Sequence, residues 1–227
     1  MDIFRNALAA AAASFLLTTA SAHATPVTFT ADPTSSFGLS ITAGALGSAS
    51  GSAVVSGTLS ANVTSTTSPP ITITESGSAF SVANFTITGL ALGALAIDNF
   101  HFTVSGPAVS TTGSNPYTVN LAGQTITVDR GQVIQGGSTV LFDYAKTPDV
   151  VVLPNPTNST FQVSGSNLSW TIPTTLVSTL STLNIPVTIT INTDLLLKGS
   201  VVPEPTSLVL LSAGLTGLAA FGRKRRV

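Results

Sequence analysis

Histidine is the side chain best suited to moving a proton near neutral pH, and this chain has two, His23 and His101. It has no cysteine, which removes thiolate nucleophiles, disulfides and thiolate metal sites together. His23 lies in an N-terminal segment that reads as a signal peptide, so His101 is the one histidine left to the body. It sits in "NFHFTV", where Phe100, Phe102 and Val104 take one face of a strand and His101 takes the other, an exposed position. Neither "GSAVVSG" nor "GSNLS" has the G-x-S-x-G form that presents a serine nucleophile on a strained turn. The acids of the body, Asp32, Glu75, Asp98, Asp129, Asp143, Asp149 and Asp194, make no local pair suited to glycosidic hydrolysis and no D-x-D-x-D-G calcium loop. The expectation is a body with no catalytic residues, no metal and no cofactor.

Binding chemistry has a few more candidates. Sugars are recruited by aromatic faces, and the body offers Trp170, Tyr117 and Tyr144. Trp170 lies between Leu168 and Ile172 at period two, which places it in a core rather than on a ligand platform. Asn62, Asn84, Asn158 and Asn167 head glycosylation-type triplets, which a Ser/Thr-rich chain produces by chance. Threonines recur in "ITIT", "FTIT" and "VTITIN", as strand propensity requires; a flat threonine array facing ice or glycan would need a regularity this spacing lacks. From Thr25 to Val202 three cations, Arg130, Lys146 and Lys198, face seven acids. With a pI near 6.0 this charge balance excludes nucleic acid as a partner.

The elements that must position these residues are strands. In "AVVSGTLSANVT" Ala53, Val55, Leu59, Ala61 and Val63 occupy alternate positions, the period of a half-buried strand. The same alternation puts Ile71 and Ile73 inward, and Ile185, Val187, Ile189 and Ile191 likewise. The phase slips around Ala83 and Asn84, which a β-bulge accommodates. Ala122-Gly123 and Gly136-Gly137 read as hairpin turns. "ITAGALGSASGS" reads as a flexible loop. "TTLVSTLSTLN" spaces Leu176, Leu180 and Leu183 as a short helix would, with loop or strand as alternatives. Short, numerous strands predict an all-β body, an antiparallel β-sandwich or jelly roll, over residues 25–201.

The two ends of the chain read differently. Residues 1–24 combine Arg5, an apolar run from Ala7 to Leu17, and small residues Ala22 and Ala24 ahead of a cut, the pattern signal peptidase recognises. At the other end, Pro203, Glu204 and Pro205 hold the chain extended, because each proline fixes its φ and biases the residue before it. The uncharged run from Ser207 to Gly222 makes a helix of roughly 24 Å at ~1.5 Å per residue, slightly short of a ~30 Å hydrocarbon core. Arg223, Lys224, Arg225 and Arg226 then hold the C-terminus on the cytoplasmic side. The prediction is an N-terminal signal helix, an exported body, and a single transmembrane helix in a tail of residues 202–227.

Signal peptide, β-rich body, the Pro-Glu-Pro bracket, a short apolar helix and a terminal basic cluster together resemble the PEP-CTERM sorting family of exported Gram-negative bacterial proteins. The resemblance is confined to the tail and the signal peptide. It implies processing by an exosortase, a membrane-embedded transpeptidase-like enzyme, with Pro203, Glu204 and Pro205 as the recognition signal and Arg223 to Arg226 as the stop. The protein would stand transiently in the inner membrane and pass to the cell surface or an exopolysaccharide matrix. For the body the expectation is a structural or adhesive role in that matrix; the alternative is a secreted carbohydrate-binding module or, further off, a polysaccharide hydrolase.

Overall fold

The computed structural model describes residues 24–201 except 45–46, 65–68, 92, 155 and 183–184, with the side chains of 176–187 and 189 also left aside. Fourteen strands follow in order: β1 (Thr25–Ala31), β2 (Ser36–Thr42), β3 (Ser48–Val63), β4 (Thr72–Val82), β5 (Phe85–Ile87), β6 (Leu95–Ser105), β7 (Val109–Thr112), β8 (Tyr117–Asn120), β9 (Thr125–Gln135), β10 (Thr139–Asp143), β11 (Asp149–Val152), β12 (Asn158–Ser164), β13 (Asn167–Thr182) and β14 (Ile185–Ser200). No α-helix occurs among the described residues, and the segments predicted to form the signal helix and the transmembrane helix lie outside them.

The predicted sandwich or jelly roll is instead a closed antiparallel barrel. The cycle runs β3, β4, β7, β8, β12, β13, β14, β1 and back to β3. Closure depends on the first two strands. β1 pairs with β3 from Thr25↔Val63 to Thr30↔Thr58, and β2 continues in the same direction from Ser36↔Val54 to Thr42↔Ser48. Both also pair with β14, β2 along seven residues and β1 at Thr30 and Ala31. They are therefore two halves of one staved position between β14 and β3. Full closure leaves these strands no free edge, which a sandwich would have had to protect.

The joint between the halves is built by Asp32 and Ser35. The Asp32 N–H donates to Leu196 O at 2.7 Å, while its carboxylate accepts from the Thr34 N–H and hydroxyl and pairs with Lys198. Ser35 is buried, and its hydroxyl both donates to Leu196 O and accepts from the Leu196 N–H at 3.1 Å. A side chain thus stands in for the ladder where the excursion interrupts it. Pro33 sits at this excursion, where a missing N–H costs nothing.

A second sheet branches from β4. That strand pairs with β7 at Thr72 and Ile73 but with β6 at Phe80 and Ser81, so its neighbour changes partway along. β6 leads to β9, which carries β10 and β11 on its far side. Gly57 of β3 lets this region close. Its φ is +141°, and a Cβ there would come within 2.2 Å of Ala79 O and 2.7 Å of Phe80 Cα.

The period-two alternation holds along β3: Val55, Leu59, Ala61 and Val63 are buried and Ala53 is half-buried. Ile71, Ile73, Phe100 and Phe102 are buried as expected, and Val104 is half-buried. Four local expectations change. Residues 41–52 are mostly the β2–β3 hairpin rather than a flexible loop, paired from Ser36↔Val54 to Thr42↔Ser48, with Gly51 packed closely against the Phe85 and Ile87 side chains. Residues 167–182 form one strand rather than a helix at Leu176 and Leu180, paired with β14 throughout. The slip at Ala83 and Asn84 separates β4 from β5 rather than bulging one strand; both pair with β6 in the same register, and Asn99, at φ 53°, donates its N–H to Asn84 Oδ1. Gly136-Gly137 does turn the β9–β10 hairpin, but Ala122-Gly123 leads from the barrel strand β8 to β9 of the second sheet, two strands that do not pair.

Candidate functional site

The aromatic candidates are largely structural. Trp170 is buried, donates its indole N–H to Ser159 Oγ at 2.8 Å, and meets Phe29 and Phe161 edge-on at 6.1 and 6.0 Å. Its place in the core is as the alternation requires, and it offers no open face to a sugar. Tyr117 of β8 stands opposite Phe161 and is half-buried. Tyr144, after β10, is half-buried with its ring edge-on to Phe100 at 5.3 Å; burial first, then the Asp149 carboxylate, pushes its phenol upward. Asn62, Asn84, Asn158 and Asn167 are all exposed.

His101 lies on the face opposite Phe100 and Phe102, but it is more enclosed than expected. Its side chain is 13% exposed because Nδ1 bonds Asp129 Oδ1 across β6 and β9. Ser81 of β4 is its cross-strand partner on the other side. A serine, a histidine and an aspartate therefore stand side by side on three strands, on an outer face away from the interior cavity. Acyl transfer there would need oxyanion donors and walls that exclude water; none of the three residues lines the interior cavity.

A cavity lies where the inner faces of the barrel and the second sheet meet. It measures about 90 Å³ and is walled by Leu59 and Ile73 on one side, Phe102 and Val128 on another, and Trp170 and Leu195 on a third. Its polar wall groups are mostly engaged. Gln124 donates Nε2–H to Pro107 O at 2.6 Å, and Trp170 is bonded to Ser159. Glu75 is half-buried and not fully engaged. Its Oε1 is buried with no hydrogen-bond partner, and desolvation raises its carboxyl from 4.5 to about 7.

The local backbone explains why a glutamate faces inward. Along β4 the register against β3 shifts between Ser60 and Ala61, whose partners are Gly77 and Glu75, so Ser76 is skipped. Before this bulge the odd residues Ile71 and Ile73 point in; after it Phe80 and Val82 do. Glu75 is the last inward residue of the first phase. Bulges of this kind re-aim side chains and are common beside binding sites. Ser78, just past it, ties β4 to β6 by accepting from the Val104 N–H at 2.6 Å and donating to Val104 O at 2.7 Å.

The residues assigned to sorting lie at the ends of the chain. Ala24 is exposed and directly precedes β1, while Ala22 falls outside the described residues. At the far end the Val201 N–H donates to Ser166 O at 2.8 Å, and Pro203, Glu204, Pro205, Arg223, Lys224, Arg225 and Arg226 all fall outside the described residues. A family model described as the PEP-CTERM protein-sorting motif matches residues 201–226. The tail is a PEP-CTERM sorting motif. It begins where the last barrel strand ends, and it spans the proline bracket, the apolar run and the basic cluster. The PEP-CTERM tail marks an exported protein of the kind an exosortase sorts, carried through the membrane toward the cell surface. No curated protein and no solved structure matches the chain.

Proposed function

We propose that this chain is cut from the inner membrane by an exosortase and that its barrel then serves as a non-enzymatic, structural or adhesive component of the cell surface or extracellular matrix, in contact with exopolysaccharide. The PEP-CTERM motif at residues 201–226 carries this reading. The barrel exterior supports the matrix half of it. Thr28, Thr30, Ser52, Ser56, Thr58 and Asn62 are exposed along β1 and β3, so these outer faces present hydroxyls and amides rather than charge. Such a surface exchanges hydrogen bonds with water for hydrogen bonds with sugar at little net cost.

The experiment separates sorting from simple anchoring. Glu204→Ala leaves both prolines, the apolar run and the basic cluster intact, so insertion is unchanged while tail removal slows and uncut protein accumulates in the inner membrane. Neutralising Arg223, Lys224, Arg225 and Arg226 together weakens retention and topology instead. Processing of the Glu204 variant at the wild-type rate would remove the recognition role of the bracket.

A further inference from the structure

We propose that the interior cavity is a binding site for a short amphiphilic amine, with the apolar chain of the ligand between the barrel wall and the second sheet and its ammonium group on the Glu75 carboxylate. The proposal goes beyond sorting and stands independently of it.

Three observations carry the argument. First, the cavity admits the head of a ligand: about 90 Å³, which at ~30 Å³ per water is about three water volumes, room for an ammonium group and its first carbons with the rest of the chain toward the rim. Its walls are aliphatic and aromatic, as small-molecule sites are. Second, a polar group that selects a ligand is already present. Glu75 Oε1 is buried without a partner, and an unpaired buried acceptor costs free energy that a ligand donor recovers. A bulge places it there, just ahead of a serine fixed to the neighbouring strand.

Third, the charge of the wall has one sign. Its titratable groups are Glu75, Tyr144 and Asp149, and no lysine, arginine or histidine lines it. Asp149 is exposed and Tyr144 half-buried, which marks where the cavity meets the surface. A carboxylate at the rim and another within attract a cation and repel an anion. An alcohol could satisfy Oε1 but would leave the charge unpaired, whereas an ammonium satisfies both.

The test uses the full chain reconstituted in phosphatidylcholine vesicles, with empty vesicles as the blank. Trp170, the only tryptophan in the chain, lines the cavity and reports occupancy by its fluorescence. Hexylamine at about pH 8 should give a saturable change and a matching calorimetric heat. Hexanoate should bind at least about tenfold more weakly, a difference of ~1.4 kcal/mol. Glu75→Gln should lower hexylamine affinity by about tenfold or more and leave hexanol affinity unchanged, which also shows that the variant is folded. In the wild type, hexylamine affinity should fall about tenfold between about pH 8 and pH 6 as Glu75 takes up its proton, with hexanol indifferent. Absence of a saturable response to hexylamine would overturn the proposal. So would hexanoate binding as tightly as hexylamine, an unaltered amine affinity in Glu75→Gln, or a wild-type amine affinity that ignores pH.

Discussion

Glu75 sets a pH dependence whose sign follows from its surroundings. Its carboxyl titrates near 4.5 when unfolded and about 7 in the barrel, so over that window the native state holds the proton more tightly than the unfolded chain. Its contribution is therefore fully present below 4.5 and is lost as pH rises through 7. Glu75→Gln keeps the shape and removes the ionisation, so thermal melts should show a higher Tm than wild type at about pH 8 and little difference near pH 4.5. An equal Tm at the higher pH would show that the half-buried carboxylate carries no penalty. The inward glutamate was legible in the sequence, since Ile71, Ile73 and Glu75 continue one alternation. Alternation alone does not show that β4 keeps its phase through Glu75 and bulges only after it. Gly57 is a second residue whose role depends on backbone: Gly57→Ala, strained at φ +141° and overlapping Ala79 O, should cost roughly 3 kcal/mol by denaturant titration. Trp170→Ala should cost about 3–5 kcal/mol, so a loss of glycan binding in that variant would report unfolding rather than a lost platform.

At the scale of elements, the β1–β2 joint depends on an ion pair of opposite pH sense. The Lys198 ammonium, together with the hydroxyl and N–H of Thr34, draws the Asp32 carboxyl from 3.8 down to about 2. Its contribution is present above 3.8 and fades as pH falls through 2. Lys198→Met should therefore move the acid-unfolding midpoint to higher pH, and an unchanged midpoint would leave the pair without a role in closure. The outer strands carry a different liability. Val140, Leu141 and Phe142 of β10 and Val150 and Val152 of β11 are 39–60% exposed, and both strands pair only with β9 among the described residues. Exposed apolar edges template association. Val150→Lys with Val152→Lys should reduce light scattering of the purified protein on heating while leaving its Tm within about a degree, as expected of exposed positions. Strand existence was readable here from alternation alone. Strand partners were not, because Ala122-Gly123 carries the same turn chemistry whether it joins paired strands or links the barrel to a second sheet.

For the whole molecule, closure is the feature that local sequence conceals. Alternation reports which side of a strand is buried but not whether the last strand returns to the first. Here the return depends on Thr30 and Ala31 meeting Lys198 and Leu197 from the opposite end of the body, with Asp32 and Ser35 repairing the ladder between. A sandwich and a barrel share the same inward pattern until that contact forms. The tail is the reverse case. Pro203-Glu204-Pro205, the apolar run and the four basic residues are contiguous, so their order alone was sufficient, and the family match at residues 201–226 rests on that order. Body and tail thus make separable claims, one about what the barrel holds and one about where it is sent. The second is central. Its most direct measurement is the intact mass of the wild-type protein recovered from the cell surface or matrix of a strain that carries its exosortase. The account predicts a chain lacking residues 207–227; a full-length chain resident in the inner membrane would contradict it.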